Sequence, residues 1–128
     1  MFLHHKGYRS LLGVDIMSDA IMKLKRSEEY KMGGIYAEEN LAQEFILKIE
    51  DNSIDYAITY SATIELFHTG FNIFKELKRI TRKGFIFVLD EDGHTYPRFY
   101  RYQIKANKFY LKYVEKLSNG LTLIHAEN

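Results

Sequence analysis

The residues from Asp51 to Ala62, Asp-Asn-Ser-Ile-Asp-Tyr-Ala-Ile-Thr-Tyr-Ser-Ala, restrict the choice of fold more than any other stretch. An acidic Asn/Ser turn leads into Tyr56–Tyr60, a short run rich in β-forming residues and bounded by small polar ones. Such a run reads as a strand buried on both faces. Ser61-Ala62-Thr63 then closes it, and a helical pattern follows. In an open parallel sheet, ligands sit outside the carboxyl ends of the strands. Thr59, Tyr60 and Ser61 therefore fall where a ligand would be held.

The rest of the chain supplies neighbours for such a strand. Leu11 to Asp15 is a short apolar strand ending in an acid, with Ser18 as the expected N-cap of a helix to about Arg26 that turns Ile21 and Leu24 inward. Gly33-Gly34 precedes a second short strand, Ile35–Ala37, ending in Glu38-Glu39. Asn40 and Gln43 then have the spacing of a capping box, ahead of a helix with Leu41, Phe45, Ile46 and Ile49 on one face. Thr63 to His68 reads as a short helix or turn. Phe71 to Arg82 is the clearest amphipathic helix, with Ile73, Phe74, Leu77 and Ile80 on one side and Lys75, Glu76, Lys78 and Arg79 on the other. A turn at Gly84 and a buried strand Phe85–Leu89 follow. Short strands alternating with amphipathic helices predict an α/β fold, mostly parallel. No repeat or linker interrupts residues 1–128, so a single domain is expected.

The last third changes character. Between His94 and Lys116 six Lys/Arg residues face one acid and are interleaved with tyrosine and phenylalanine. That mixture suits single-stranded nucleic acid or a phosphorylated substrate. The alternation in Lys108–Glu115 and the turn Ser118-Asn119-Gly120 favour instead a half-buried hairpin running on to Leu121–His125, with lysines on its wet face. Nucleic acid is accordingly not the expected partner. Residues 96–106 fit helix and strand equally well.

Several classes of function fall away on composition. The net charge is +1, so nothing pulls the chain as a whole toward nucleic acid or membrane. The absence of cysteine removes disulfides, thiolate nucleophiles and cysteine zinc sites. His4-His5 are adjacent, do not share a helix face, and read as part of a solvated terminus; no metal site is expected. Asp90-Glu91-Asp92 reads as a solvated loop. The apolar runs are too short to span a bilayer and no signal peptide is visible, so a cytoplasmic location is expected.

An acid at the carboxyl end of a strand is what nucleoside-binding α/β sites use to accept hydrogen bonds from ribose hydroxyls. Spacing alone leaves Asp15 open between that role and merely ending a strand. The stretch "DNSIDYAITYSATIELF" resembles the fourth-strand region of class I S-adenosylmethionine-dependent methyltransferases, of the methyltransferase type 11-like kind, and "LLGVDIMSDAI" is similar to the pattern V-x-G-V-D-x-S-x-x-A-I of the same family. "IYAEENL" stands where members commonly carry G-D-A-E-N-L, with Ala37 or Glu38 at the aspartate position depending on a one-residue shift. "TIELF" stands near an L-E-H-F-like run, and "RKGFIFVLDED" resembles the K-P-G-G turn and fifth strand without its proline. The likeness covers roughly Tyr8 to Asp92.

The resemblance implies a Rossmann-like sheet with a C-terminal antiparallel hairpin and S-adenosylmethionine as cofactor, contacted by Asp15, Ile16, Glu38, Tyr60 and Ser61. Tyr60, Ser61 and His94, which fall at or after the carboxyl ends of strands, are the candidate groups on the side of the methyl acceptor, whose identity stays open. The family's first strand and its G-x-G-x-G loop are expected upstream of Met1, and no G-x-G occurs in these residues. A truncated, weakly active domain is therefore expected, with an unpaired strand edge open to self-association. A binding protein that keeps the fold without the pocket is the alternative. A nicotinamide-dependent oxidoreductase ranks third, because its glycine fingerprint is missing too.

Overall fold

Strands and helices alternate along the chain, which divides into two units, Met1–Phe45 and Ile46–Asn128. The structure is a computed structural model that describes residues 2–61, 63–93, 96 and 98–128.

The first unit contains α1 (Phe2–His5), β1 (Leu11–Asp15), α2 (Ser18–Lys25), α3 (Glu28–Lys31), β2 (Ile35–Glu39) and the start of α4 (Ala42–Lys48). β1 and β2 run parallel, in register from Leu11 opposite Ile35 to Asp15 opposite Glu39. The ladder opens where Leu11 N–H donates to the Gly34 carbonyl at 2.8 Å. Gly34 sits at φ +81°, and a Cβ there would lie 2.0 Å from the Arg9 carbonyl oxygen, so only glycine lets the chain enter β2 at this point.

Three local expectations are corrected in this unit. Ser18 is the first helical residue of α2 rather than its cap; Met17 takes the N-cap position, with no side-chain cap. Asn40 makes no capping box with Gln43: α4 starts at Ala42, and the Asn40 amide donates to Glu38 Oε1 at 2.7 Å. His4 is not solvated but 2 % exposed, and His5 pairs with Glu29 at 2.8 Å.

The second unit holds β3 (Ile54–Tyr60), a 3₁₀ turn (Ile64–Leu66), α5 (Ile73–Ile80), β4 (Thr81–Leu89), α6 (Tyr100–Ala106), β5 (Tyr110–Lys116) and β6 (Thr122–Glu127). Its four-stranded sheet has the order β3-β4-β6-β5; β3 and β4 are parallel, and β6 is antiparallel to both neighbours. The expected C-terminal hairpin is β5–β6. The chain is thus α/β, with a two-stranded parallel sheet and a four-stranded mixed one. The ambiguous stretch resolves in favour of helix at Tyr100–Ala106.

The core of this unit follows from two periodicities. Ile73, Phe74, Leu77 and Ile80 share one face of α5, and alternate β4 residues Phe85, Phe87 and Leu89 point the same way from the sheet; all are buried. Phe85 meets Phe74, Phe87 and Phe109 with ring centroids 5.8, 4.3 and 4.9 Å away. Burial of each such side chain contributes about 1.5–3 kcal/mol before chain entropy is counted. Asn72 starts α5 by accepting from Lys75 N–H at 3.0 Å. Arg79, near its end, donates to the Ile46 and Ile49 carbonyls at 2.9 and 2.6 Å, satisfying acceptors at the end of α4.

Two strand expectations are corrected here. Gly84 is not a turn but part of β4, at φ +145°, where a Cβ would lie 2.0 Å from the Ala126 carbonyl oxygen. The strand at Tyr56–Tyr60 is not buried on both faces: β3 is an edge strand, with Ile58 54 % and Tyr60 67 % exposed. Among the described residues no helix is long and apolar enough to cross a membrane.

Candidate functional site

At the carboxyl ends of β1 and β2 the first unit brings together Asp15, Ile16 and Glu38. Asp15 ends β1 opposite Glu39, and its Oδ1 accepts from the Met17 N–H at 2.8 Å. That bond turns the chain from strand into α2 and fixes the carboxylate's direction, the task the sequence assigned to Ser18. The Asp15 carbonyl accepts from Asn40 N–H at 3.0 Å, tying the two strand ends together. The Asp15 carboxyl remains exposed, so its second oxygen can accept from a ligand. Ile16 and Met17 beside it are 65 % and 62 % exposed, an apolar surface next to an acceptor.

Glu38 is differently placed. Its carboxylate accepts from Tyr36 Oη at 3.1 Å and from Asn40 Nδ2 at 2.7 Å, so hydrogen bonds from residues two places away in the chain already occupy both oxygens. Ala37 is buried and carries no polar group, so of the two residues competing for the family's aspartate position only Glu38 presents a carboxylate.

Tyr60 and Ser61 come together at the carboxyl end of β3, in the second unit. Ser61 N–H donates to the Val88 carbonyl at 2.6 Å, and its backbone takes φ +50°, a left-handed conformation that turns the chain sharply out of the strand. Tyr60 Oη accepts from Asn119 Nδ2 at 3.4 Å. Among the described residues no carboxylate or imidazole hydrogen-bonds either hydroxyl, so neither has a general base beside it. His94 lies outside the described residues.

The same end of the sheet holds a cluster that the sequence did not single out. Glu65, 7 % exposed on the 3₁₀ turn, accepts from Asp90 N–H at 2.8 Å and from Thr63 N–H at 3.2 Å. One carboxylate thus fastens the loop after β3 to the loop after β4. Arg98, also buried, donates to the Phe67 and His68 carbonyls. Tyr100 is 3 % exposed, and its hydroxyl has no partner among the described residues. Burial, reinforced by the Glu65 charge, pushes its pKa up to about 12, and burial lowers that of Arg98. The one available signal was Glu65 itself, an acid inside the apolar run Ile64–Phe67.

The acids Asp90-Glu91-Asp92 do not act as a set. Glu91 is held by Arg101 through two bonds of 2.9 and 3.0 Å and by the Thr122 hydroxyl at 2.9 Å. Asp90 Oδ1 accepts from the Asp92 N–H at 3.0 Å. Among the described residues no group of three or more His, Asp and Glu side chains is arranged to hold a metal ion. A shallow hollow of about 280 Å³ lined by Arg9, Ser10, Leu11, Gly34, Ile35 and Tyr36 lies at the opposite, amino ends of β1 and β2.

No family model matches the chain, and no curated protein matches it. Among solved structures it is similar to the PH0226 protein of Pyrococcus horikoshii OT3, with a TM-score of 0.75 at 20 % identity. The likeness covers 99 % of this chain and 74 % of that one, and at this identity it speaks to the fold alone.

Proposed function

We propose that the chain is a class I methyltransferase-type domain that binds S-adenosylmethionine and supports methyl transfer to an acceptor yet to be identified. The observation that carries this reading is Asp15: an exposed carboxylate at the carboxyl end of a parallel strand, one oxygen fixed by a backbone amide and the other free to accept. A ribose offers a pair of adjacent hydroxyl donors to such a group. The exposed Ile16 and Met17 suit the apolar face of an adenine. The parallel β1–β2 pair and the mixed β3-β4-β6-β5 sheet are consistent with the methyltransferase likeness in "LLGVDIMSDAI" and "DNSIDYAITYSATIELF".

When bound, the cofactor would supply an electrophilic methyl group on a sulfonium, and the protein's task is then mostly to hold it in line with a nucleophile. Asp15, Ile16 and Met17 address the nucleoside end, and Glu38 can join them by exchanging its internal hydrogen bonds for the adenine amino group. Tyr60 and Ser61, at the carboxyl end of β3, stay candidates on the family likeness alone. Titration calorimetry with S-adenosylmethionine and S-adenosylhomocysteine tests the reading. Asp15→Ala should weaken binding by about 1–3 kcal/mol, roughly 5- to 150-fold. Equal affinities would remove Asp15 from the site.

A second reading is a non-catalytic interaction protein that keeps this fold. The internally satisfied Glu38 carboxylate favours it. It predicts no measurable cofactor binding by either variant.

A further inference from the structure

Within the second unit, the outer surface of the helical layer gathers cations and bare aromatic rings. α5 and α6 cover the same face of the four-stranded sheet, since Phe74 meets both Phe85 and Tyr100, with ring centroids 5.8 and 6.5 Å away. Burial of Ile73, Phe74, Leu77 and Ile80 on α5, and of Tyr100 and Ile104 on α6, fixes which positions turn outward. On α5 these are Lys75 and Lys78. On α6 they are Tyr102 and Lys105, with Phe99 one turn before Tyr102. The turn after α6 adds Lys108, whose carbonyl accepts from Lys78 Nζ at 3.0 Å, joining the cations of both helices into one surface.

This surface differs from an ordinary solvated face in its charge, its rings and its backbone. Arg79, Arg82, Lys83, Arg101 and Lys112 each hold a carboxylate, whereas among the described residues Lys75, Lys78, Lys105 and Lys108 hold none. Residues 93–114 contain no acid to neutralise them. Phe99 is 85 % and Tyr102 72 % exposed, side by side among these lysines. The β5–β6 hairpin accounts for Phe109, Leu111 and Val114, which it turns inward, but not for these two rings. Lys108 closes α6 at φ +64°, a left-handed position where glycine or asparagine is usual. What lysine contributes there that glycine would not is a positive charge.

We propose, against the expectation from the strand alternation alone, that this surface binds single-stranded nucleic acid. The lysines meet its phosphates, and Phe99 and Tyr102 stack on unpaired bases. A lipid surface suits it less well, because the outward face of α6 carries no aliphatic side chain larger than Ala106 to enter the acyl region. The surface lies wholly in the second unit and its test uses no S-adenosylmethionine, so it stands or falls apart from the reading of Asp15.

Fluorescence anisotropy with labelled oligothymidine and oligouridine of about twelve nucleotides tests the proposal. Binding of either at micromolar chain in low salt is expected, and the tighter of the two tells DNA from RNA. Affinity should fall about 20- to 50-fold between about 50 and 200 mM salt, as about three to four neutralised phosphates require. A duplex of the same length should bind more weakly, since its paired bases have no free face for Tyr102. Tyr102→Ala should weaken binding at least about 5-fold and leave the salt dependence unchanged. Lys108→Gly relieves the backbone while removing a charge. It should melt no lower than wild type, yet bind more weakly and with a log–log salt slope shallower by about 0.7. A wild type with no anisotropy change at about 100 µM chain in low salt overturns the proposal. So does binding that neither variant weakens, equal affinity for the duplex, or binding to phosphatidylserine vesicles in place of the oligonucleotides.

Discussion

Replacing Glu65 should loosen the carboxyl edge of the second unit out of proportion to its position on a three-residue turn. Its carboxylate accepts two backbone N–H groups, Asp90 at 2.8 Å and Thr63 at 3.2 Å, at a site 7 % exposed. A hydrogen bond to a charged group contributes about 1.5–3 kcal/mol, and a buried donor left without a partner costs about 1–3 kcal/mol. Part of this is offset because an alanine no longer requires a carboxylate to leave water. Glu65→Ala should therefore destabilise by about 2–4 kcal/mol, lowering the melting temperature by at least about 8 °C. Glu65→Gln keeps one acceptor but turns an amide N–H₂ toward the other donor, and should cost about half as much. Urea unfolding followed by circular dichroism gives the energies. Hydrogen exchange locates them, since the Thr63 and Asp90 amides should lose protection while those at the centre of β4 keep theirs. An alanine variant within about 0.5 kcal/mol of wild type, with both amides still protected, would refute this account of the loops.

Gly84→Ala should destabilise by about 2 kcal/mol or more, because the residue is held at φ +145° and the new Cβ would meet the Ala126 carbonyl at 2.0 Å; thermal melts check it. Glu91, whose pKa Arg101 and then Thr122 hold below the ordinary 4.5, should contribute stability that is present above that value and lost as pH falls through the lower, folded-state value. Because Arg101 is largely exposed, the contribution is modest, about 1 kcal/mol, and Glu91→Gln should narrow the gap to wild type between neutral pH and pH 3 in urea titrations.

Much of the fold was legible because periodicity is a strong signal. The spacing Ile73, Phe74, Leu77, Ile80 gave α5 its buried face, and the two glycines before Ile35 marked the entry to β2. Edges were not legible: Ile-Asp-Tyr-Ala-Ile-Thr-Tyr reads the same in the centre of a sheet and at its border, so the exposure of Ile58 and Tyr60 came as a correction. Gly84 misled for a related reason, since a glycine after two basic residues resembles a turn until the close approach of β6 is known. In the candidate site, Asp15 could be picked out because the family likeness of "LLGVDIMSDAI" singles it out among several acids that close strands, whereas the Met17 amide that orients it depends on the turn itself. Glu65, Arg98 and Tyr100 escaped notice because their proximity is set by tertiary packing across more than thirty residues of chain.

The central claim, that the carboxyl ends of β1 and β2 receive a nucleoside, is tested most directly by amide chemical shifts. In an ¹⁵N-labelled chain titrated with S-adenosylhomocysteine, the largest shifts should fall on Asp15, Ile16 and Met17, with smaller ones on Glu38 to Asn40, and should shrink in Asp15→Ala. Saturable binding that leaves Asp15–Met17 unmoved and shifts Arg9, Ser10 and Tyr36 at the opposite strand ends would contradict it.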